Sequence, residues 1–409
     1  MKTLGIIAEY NPFHKGHAYM IEEAKKKSGA ERVIVVMSGS FVQRGEPAMF
    51  DKWTRTQAAL QNGADLVLEL PFPFAAANAE TFAAGAVRSL QESGIVDILC
   101  FGSENAELPA LQEAARLMLN ETEEFQRLLK AHLDEGLSYP AARAKALETV
   151  SKINSEILSA PNHILALEYL KALERYSCTL EPMAIPRKGD YHSPELAQEQ
   201  GFASAAAIRR AIAEGRTEEA LAQLPENTQE LYKKALSLGT APISWDGLTA
   251  ALNYKLRVQS AEDVRSIFEV TEGLENRILR SIDTCYSFEE IVDFIKTKRY
   301  TRTKIQRILL HLLLDLREQE VSYYLGLLHL PYIRVLGFQK EKSDILADLT
   351  DAAKCPVLTN LKKAPEILSE DGLALLALEK TATDLHTLAY PNAAYRAPNQ
   401  DFTNPLVII

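Results

Sequence analysis

Apolar residues in the first hundred positions cluster into four short runs, which lie at 3–10, 32–39, 64–71 and 96–103. Runs of this length, rich in Val, Ile and Leu, are typical of strands that are buried on both faces of a parallel sheet. The stretches between them carry apolar residues at helical spacing: 16–29, 51–62 and 74–93. This alternation of strand and helix predicts a doubly wound α/β domain.

The pattern becomes helical from about residue 105 to 177, after which another apolar run at 179–186 predicts a fifth strand. We therefore interpret 105–177 as a helical insertion before the last strand of a Rossmann-like parallel sheet of about five strands. Residues 226–409 are mainly helical in pattern, with one further apolar run at 332–337. The chain is accordingly predicted to divide into an α/β domain over 1–225 and a mainly α-helical domain over 226–409.

The composition is that of an ordinary globular protein: 409 residues, 47% hydrophobic, 24% charged, with a net charge of −10. The four cysteines lie far apart and form no CxxC pair, which fits a reducing compartment and predicts no structural zinc site. The N-terminal apolar run is short and broken by polar residues, so we expect no signal peptide. No segment approaches the ~20 apolar residues that cross a bilayer. We therefore expect a cytosolic protein without a membrane contact.

The first predicted strand is followed by EYNPFHKGHAY, in which His14 and His17 flank Gly16 at the start of a predicted helix. Open α/β sheets bind ligands at this position, outside the carboxyl ends of the strands. A helix N-terminus offers unpaired N–H groups and the positive end of the helix dipole, which suit a phosphate. Glycine would let a ligand approach the backbone closely. The motif is therefore a candidate phosphate site.

Three interpretations of the histidine pair compete. A metal site needs a third and a fourth ligand, and no cluster of His or Cys nearby in the sequence supplies them. The fingerprints GxGxxG and GxxxxGK[ST], which mark two common nucleotide sites, are absent from the chain. Spacing and position alone support phosphate binding and an ordinary loop equally.

Further segments accompany this motif in a fixed order: 37–72, 101–104, 160–173, 185–192 and 203–209. They include MSGSFVQRGEPAMF, FGSE, APNHILALEYLKAL, IPRKGDYH and ASAAAIR. Together with HKGH they resemble the tRNA(Met) cytidine acetate ligase family of the HxGH nucleotidyltransferase superfamily, over most of the chain. One position departs from the pattern, since Ala206 stands where the superfamily often has a hydroxyl. Ser204 and Arg209 are then the candidate phosphate contacts of that segment.

The resemblance implies an ATP site, and it implies that the two histidines contact the ATP phosphates. The implied ATP-binding residues are Ile7, Ala8, Glu9, Tyr10, Asn11, Pro12, Phe13, His14, Lys15, Gly16, His17, Gly102, Asn162 and Arg187. Among them His14, Lys15 and His17 are the implied catalytic residues, which would act by positioning and charge stabilisation. A covalent nucleophile is not required.

The segment after the second predicted strand, SFVQRGEP, supplies Gln43 and Arg44 as candidate contacts to substrate or phosphate. Lys52 and Arg55 begin the next helix and could also reach an anionic ligand, although basic residues on a helix often form its solvated face. Glu69 interrupts an apolar strand, where an acid must be paired, hydrogen-bonded or at the open end. Two interpretations of Glu69 are equally supported: a position at the pocket rim, or an ion pair with Arg44 or Lys52.

The segment 296–307, KTKRYTRTKIQR, contains six basic residues and no acid in an otherwise acidic protein. Charge runs are usually solvated faces. This run is dense and includes a tyrosine, and the resemblance implies a tRNA substrate, so we predict contacts to the RNA backbone. The predicted tRNA-binding residues are Lys298, Arg299, Arg302, Lys304 and Arg307.

The resemblance implies a two-step reaction. Acetate attacks ATP, with Mg²⁺ expected to accompany it, to give acetyl-adenylate and pyrophosphate; N4 of the wobble cytidine in the anticodon of elongator tRNA(Met) then takes the acetyl group. Two alternatives remain: an adenylyltransferase acting on a small phosphorylated cofactor precursor, and a non-catalytic RNA-binding protein that responds to nucleotide.

Overall fold

The computed structural model describes residues 1–103, 108–137, 139–151, 161–186, 196, 202–271 and 273–409. Within these residues, eight strands form one sheet: β1 (Thr3–Ala8), β2 (Arg32–Ser38), β3 (Leu66–Leu70), β4 (Ile98–Ser103), β5 (Glu181–Pro186), β6 (Ile333–Phe338), β7 (Val357–Leu358) and β8 (Val407–Ile408). The five strands that the apolar runs predict are confirmed, and so is the strand near 332–337.

The strand order is β5-β4-β1-β2-β3-β6-β7, with β8 paired to β6. The first five strands are parallel. β1 lies between β2 and β4, so the order of the strands along the chain reverses there. Such a switch point opens a crevice at the carboxyl ends of the strands, which is where an open α/β sheet binds its ligand.

Helices of the first half cover the sheet or form the insertion between β4 and β5: α1 (Lys15–Ser28), α2 (Lys52–Gln61), α3 (Phe72–Ala75), α4 (Ala79–Glu92), α5 (Leu108–Leu119), α6 (Glu123–Asp134), α7 (Tyr139–Ser151), α8 (Pro161–Arg175), α9 (Ala205–Ala213) and α10 (Thr217–Leu221). Several begin where a side chain accepts a free backbone N–H. Asp51 accepts from Thr54 before α2, and Asn78 accepts from Thr81 before α4. The predicted helical insertion is confirmed by α5 to α8.

The second half is largely helical: α11 (Glu226–Leu238), α12 (Thr249–Val258), α13 (Ala261–Ser266), α14 (Leu274–Ser281), α15 (Phe288–Ile295), α16 (Arg302–Leu313), α17 (Glu318–Gly326), α18 (Asp344–Ala352), α19 (Ala364–Ile367), α20 (Glu370–Leu388) and α21 (Gln400–Thr403). Short 3₁₀ turns lie at Trp245–Leu248, Lys340–Lys342, Leu361–Lys363 and Ala393–Tyr395. Across the described ranges, we find no helix with the length and apolar character needed to span a bilayer.

Both faces of the sheet are buried, as the unbroken apolar runs predict. Along β2, Ile34 and Val36 enter one core together with residues of α4 and α8. The alternate residues Val33 and Val35 enter a second core on the opposite face, with residues of α1, α2 and α9. Because successive side chains of a strand point to opposite faces, a strand covered on both sides must be apolar throughout.

The C-terminal half contributes to the same sheet. β6 pairs antiparallel with β3, placing Leu66 opposite Phe338, and β7 and β8 pair with β6. A third core, which includes Trp245 and Phe288, holds the helices from α12 to α17 together. The division at residue 225 stays a prediction, and the structure adds that the three C-terminal strands extend the sheet beyond the five that were expected.

A buried ion-pair cluster, formed by Lys52, Glu69, Arg334 and Asp401, joins the two halves. The Lys52 ammonium lies 2.6 Å from a Glu69 oxygen and 2.7 Å from Asp401. The Arg334 guanidinium lies 2.7 Å from the other Glu69 oxygen and 2.8 Å from Asp401. All four side chains are buried. The ion pair between Glu69 and Lys52, one of the two interpretations of this acid, is confirmed.

A fifth group, Glu379 of α20, borders the cluster and accepts the N–H of Phe72 at 2.7 Å. Burial and the neighbouring Glu69 raise the pKa of Glu379 well above its ordinary value. A carboxylate oxygen of Glu379 lies 3.7 Å from the Lys52 ammonium, so Lys52 is surrounded by three acidic side chains. The structure therefore corrects the prediction that Lys52 contacts substrate, because its ammonium is enclosed and neutralised inside the protein.

Replacing Lys52 by methionine should cost about 3–5 kcal/mol of unfolding free energy, since Glu69 and Asp401 would keep only one of their two cations. Urea unfolding followed by circular dichroism measures this loss. Lys26→Met is the matched control, because Lys26 is 78% exposed and its nearest carboxylate, Glu23, lies 3.9 Å away. The control should shift stability by less than ~0.5 kcal/mol. Equal effects of the two changes would contradict the account of the cluster.

Candidate active site

The turn that leads from β1 into α1 (the HKGH turn, residues 9–17) orders its two histidines through backbone hydrogen bonds. His14 precedes the first residue of α1, and its Nδ1 accepts the N–H of Gly16 at 3.1 Å. Nδ1 of His17 accepts the N–H of His14 at 3.2 Å. Each side chain thereby satisfies a free N–H at the helix start, in the arrangement of a capping box.

These contacts determine the tautomer of both rings. A nitrogen that accepts a hydrogen bond carries no proton, so the N–H of each neutral ring is at Nε2. The ring centroids of His14 and His17 are 3.8 Å apart. The turn therefore presents two adjacent imidazoles, both as Nε2–H donors, at the N-terminus of a helix. This arrangement suits an anion and does not require a metal.

Gly16 is required by packing inside the turn. A Cβ at this position would lie 2.9 Å from Cε1 of His14, closer than real Cβ contacts allow. Any larger residue would displace the imidazole that caps the helix. The packing of the turn thus explains the glycine. The further expectation that Gly16 lets a ligand approach the backbone stays a prediction.

Residues from distant segments hold the turn in place. Asn11 accepts the N–H of Met49 at 2.8 Å with its side chain, and its carbonyl accepts from Arg209 at 2.9 Å. The N–H of Phe13 donates to the Tyr232 hydroxyl at 3.1 Å. Sequence reasoning missed Tyr232, which lies on α11 beyond the predicted domain boundary.

Two residues that the sequence offered as phosphate contacts have structural partners. Arg209 bridges Asn11 and Glu46, and its second nitrogen lies 3.1 Å from the Glu46 carboxylate. Ser204 caps α9 by accepting the N–H of Ala207 at 3.1 Å. In this structure both residues therefore position the backbone, and a phosphate contact by either stays a prediction.

Arg55 clamps the carboxyl ends of the two central strands. Its guanidinium donates to the carbonyls of Glu9 at 2.7 Å, Ser38 at 3.0 Å and Gly39, and its Nε donates to Phe50 at 3.0 Å. The side chain is fully buried. Burial lowers the pKa of Arg55 to about 10, which leaves the group charged at neutral pH. A solvated helix face was the ordinary expectation for this residue, and the structure shows the opposite.

The loop after β2 (the QRG loop, residues 40–47) reaches the first residue of the HKGH turn. The N–H of Gln43 donates to a carboxylate oxygen of Glu9 at 2.8 Å, and the Gln43 amide donates to Ala77 at 2.8 Å. Arg44 is half-buried. The substrate contacts expected of Gln43 and Arg44 stay predictions, whereas the hydrogen bond from Gln43 to the Glu9 carboxylate is observed.

The other wall of the crevice comes from β4 and α8. Gly102 is half-buried near the end of β4, and the next residue, Ser103, lies 2.8 Å from Nε2 of His163 through its hydroxyl. Asn162 lies in the first turn of α8, beside His163. The sequence analysis did not predict the Ser103–His163 pair. Ser103 is a polar residue at the end of an apolar strand, and that position could have marked it as a residue of the crevice. The side chain of Asn162 and all of Arg187 lie outside the described residues.

Lys15 has an exposed side chain whose ammonium donates to the carbonyl of Ala222 at 2.7 Å. This contact ties the first residue of α1 to the end of α10. The geometry therefore gives no support to the catalytic role that the sequence assigned to Lys15.

Two arginines of the basic segment are paired with carboxylates from elsewhere in the chain, which its sequence does not indicate. Arg307 is buried, with Nε and Nη2 at 2.6 and 3.0 Å from the two oxygens of Glu269. Arg302 pairs with Glu289 and, at 3.5 Å, with Asp293. The fold thus supplies the carboxylates that the segment itself lacks. The prediction that Arg307 contacts tRNA is corrected, because its guanidinium is enclosed by a structural ion pair.

The remaining basic residues lie at the surface around Tyr300. Lys298 and Arg299 are exposed, and Arg299 lies over the Tyr300 ring at 5.7 Å. Lys304 lies over the same ring at 5.3 Å and is half-buried, and burial lowers the pKa of Lys304. Tyr300 and these three cations form the exposed part of the predicted RNA-binding segment.

Metal ligands are not gathered anywhere in the described ranges, where no group of three or more His, Cys, Asp or Glu side chains is placed to hold an ion. Within those ranges the histidine pair of the HKGH turn belongs to no such group.

This chain is similar to known proteins over nearly its whole length. A model of the HIGH Nucleotidyl Transferase family matches residues 1–401. The tRNA(Met) cytidine acetate ligase of Acetivibrio thermocellus is 40% identical to this chain, with all of both proteins covered. The enzyme of the same name from Syntrophomonas wolfei is 41% identical, with 98% of each covered.

Solved structures extend the likeness to the whole fold. The crystal structure of Thermotoga maritima TmcAL without ligand has a TM-score of 0.94 and 31% sequence identity, and each chain is covered completely. The form bound with alpha-thio ATP has a TM-score of 0.92 at the same identity and coverage. The resemblance drawn from the sequence motifs and the nucleotidyltransferase fold are thereby confirmed. The chain belongs to the tRNA(Met) cytidine acetate ligase family of the HIGH nucleotidyl transferases.

Proposed function

We propose that this protein uses ATP to join acetate to N4 of the wobble cytidine of elongator tRNA(Met). The observation that carries the proposal is that Nδ1 of both His14 and His17 accepts a backbone N–H at the carboxyl end of β1, which orients the two rings and assigns the proton of each neutral ring to Nε2. Full-length relatives named for this activity support it. They favour it over a small-molecule adenylyltransferase and over a non-catalytic RNA-binding protein.

In the first step, an acetate oxygen attacks the α-phosphorus of ATP and the bond to pyrophosphate breaks, giving acetyl-adenylate. Negative charge on the phosphate oxygens must be stabilised as these bonds change. His14 and His17 supply N–H donors, and the N-terminus of α1 supplies the positive end of its dipole. These groups are ordered before ATP binds, so little reorganisation accompanies the reaction.

In the second step, N4 of cytidine attacks the acetyl carbon and AMP leaves, giving N4-acetylcytidine. The mixed anhydride is already activated, so no nucleophile of the protein is needed. The role of the protein is then to bring the base to the adenylate and to exclude water from it.

Mg²⁺ is expected to arrive with the nucleotide. This ion keeps several waters and commonly binds through substrate phosphates with one or two carboxylates. The described residues provide no group of three ligands, which suits an ion held mainly by the triphosphate. Bound there, it would neutralise part of the phosphate charge, while the histidines orient the α-phosphate.

The exposed part of the basic segment is the proposed tRNA contact. Lys298 and Arg299 carry charge at the surface beside Tyr300, a combination that can bind phosphates and stack on an unpaired base. Arg302 is paired with a carboxylate and contributes less, and the buried Arg307 is not part of the proposed contact.

His17→Asn tests the phosphate role of the histidines. The amide oxygen of asparagine can still accept the N–H of His14, but nothing replaces the Nε2–H donor. We expect acetate-dependent exchange of pyrophosphate into ATP to fall by ~10²–10³, the usual loss for one such donor. The thermal unfolding midpoint should change little, which separates catalysis from capping. A wild-type exchange rate in this variant would contradict the role.

Charge reversal at Lys298 and Arg299 tests the RNA contact. The double change to glutamate should weaken tRNA binding at least tenfold and flatten its salt dependence, because each phosphate contact contributes ~0.7–0.9 to the log–log slope. Fluorescence anisotropy at several salt concentrations measures both quantities, and ATP affinity should stay unchanged.

The matched control reverses another exposed adjacent pair, Lys362 and Lys363. The net charge changes equally, so a general electrostatic effect would appear in both double variants. Equal losses of tRNA affinity would place the contact elsewhere.

A further inference from the structure

Glu9 is the first acidic residue after the end of β1, and hydrogen bonds hold both its backbone carbonyl and its side chain. Its carbonyl accepts from Arg55 at 2.7 Å, and one carboxylate oxygen accepts the N–H of Gln43 at 2.8 Å. The side chain is half-buried, and the described residues provide no hydrogen-bond partner for the second oxygen. Glu9 is therefore an oriented acceptor at the edge of the crevice.

The chemistry of a carboxylate restricts what Glu9 can bind. An ionised carboxylate only accepts hydrogen bonds, and it repels phosphate groups. Its partner in the crevice must then be an N–H or O–H donor. The exocyclic amine of cytosine is a donor of this kind, and Glu is a residue that accepts from it in nucleic-acid recognition.

Glu9 is connected through the QRG loop to α16, the helix that carries part of the predicted RNA-binding segment. The QRG loop that holds Glu9 also contacts the helical half, because Trp245 donates to the Gly45 carbonyl at 3.1 Å. Gly45 packs on the backbone of α16 at Arg307. The same helix begins at Arg302, so its first turns belong to the predicted RNA-binding segment. The loop that orients the Glu9 carboxylate is therefore anchored on the helix that carries part of the predicted RNA-binding segment.

We propose that Glu9 is a catalytic residue of the second step, where it accepts a hydrogen bond from cytidine N4 and takes the proton that N4 loses. The proposal rests on the proposed function. The N4 nitrogen forms a bond to the acetyl carbon, the bond from that carbon to the phosphate oxygen breaks, and AMP leaves with the electron pair. One N4 proton moves to the Glu9 carboxylate and from there to water, so atoms and charge balance.

The surroundings of Glu9 change its pKa in the direction that makes a carboxylate a better proton acceptor. Burial raises its pKa, while the N–H of Gln43 and the charges of Arg44 and Arg209 oppose that rise. Glu46 in the QRG loop adds negative charge and Arg55 adds positive charge, and Tyr169 of α8 is close enough to interact electrostatically with Glu9. A carboxylate whose pKa lies nearer the working pH accepts a proton more effectively, provided that it stays ionised.

The test compares Glu9→Gln with the wild-type chain in two assays. Glutamine keeps the size of the side chain and can still accept from Gln43, but it cannot take a proton. Acetate-dependent exchange of pyrophosphate into ATP reports the first step, and transfer of labelled acetate to tRNA reports both. We expect transfer to fall by ~100-fold or more, and at least tenfold further than exchange. Exchange by the variant also shows that it is folded.

Two further measurements sharpen the result. The single-turnover transfer rate of the wild type should rise with pH through the pKa of Glu9 and then level, and Glu9→Gln should lose this rise. Glu9→Asp, which keeps the carboxylate, should transfer acetyl faster than Glu9→Gln. Glu22→Gln removes an exposed carboxylate from α1 and is the matched control; it should behave as wild type in both assays.

Several outcomes would overturn the inference. Equal losses in both assays, or a loss expressed mainly as a higher KM for ATP, would show that Glu9 serves the nucleotide, for example through a ribose hydroxyl. Wild-type transfer by Glu9→Gln would remove the role as base. If the wild-type chain binds ATP and carries out exchange but transfers no acetyl to tRNA, the proposed function itself fails, and the inference fails with it.

Discussion

Four buried charged side chains join the N-terminal half of this molecule to its C-terminal half. Lys52 and Arg334 each contact both Glu69 and Asp401, so β3, α2, β6 and α21 are joined inside the protein, away from water. Removing one partner would leave a buried charge uncompensated, which costs more than the pair contributes. The C-terminal strands therefore complete the sheet of the first half and cannot be detached from it without exposing or unbalancing this cluster.

The active-site geometry depends on α2, the helix that carries Lys52. Lys52 lies in the first turn of α2, and Arg55, one turn later, donates to the carbonyls at the ends of β1 and β2. A helix fixed at Lys52 by ion pairs is also fixed at Arg55, since positions three apart lie on one face. The HKGH turn follows directly from Glu9. The C-terminal segment thus helps to position the two histidines without contacting them.

The sequence predicts what local patterning determines, and it fails where partners lie far apart in the chain. Unbroken apolar runs identify the strands because both faces of the sheet are covered, and the spacing of His14 and His17 identifies the helix start. Lys52 and Arg307 resemble solvated basic residues until the fold brings Asp401 and Glu269 to them. Arg55 and Tyr232 likewise act on the turn from other elements, and no local signal marks such contacts.

The QRG loop connects the helical half to the site that joins acetate to the base. Gly45 has a φ of 76°, and a Cβ there would lie 2.6 Å from the backbone nitrogen of Arg307. Any other residue at this position would therefore displace the QRG loop or the backbone of α16. Gln43, two residues earlier, orients the Glu9 carboxylate. His14 and His17 accept hydrogen bonds within their own turn, and Tyr232 of the helical half holds that turn through the N–H of Phe13. The helical half therefore contacts both parts of the site, Glu9 through the QRG loop and the HKGH turn through Tyr232, so a shift of this half should change the geometry of both.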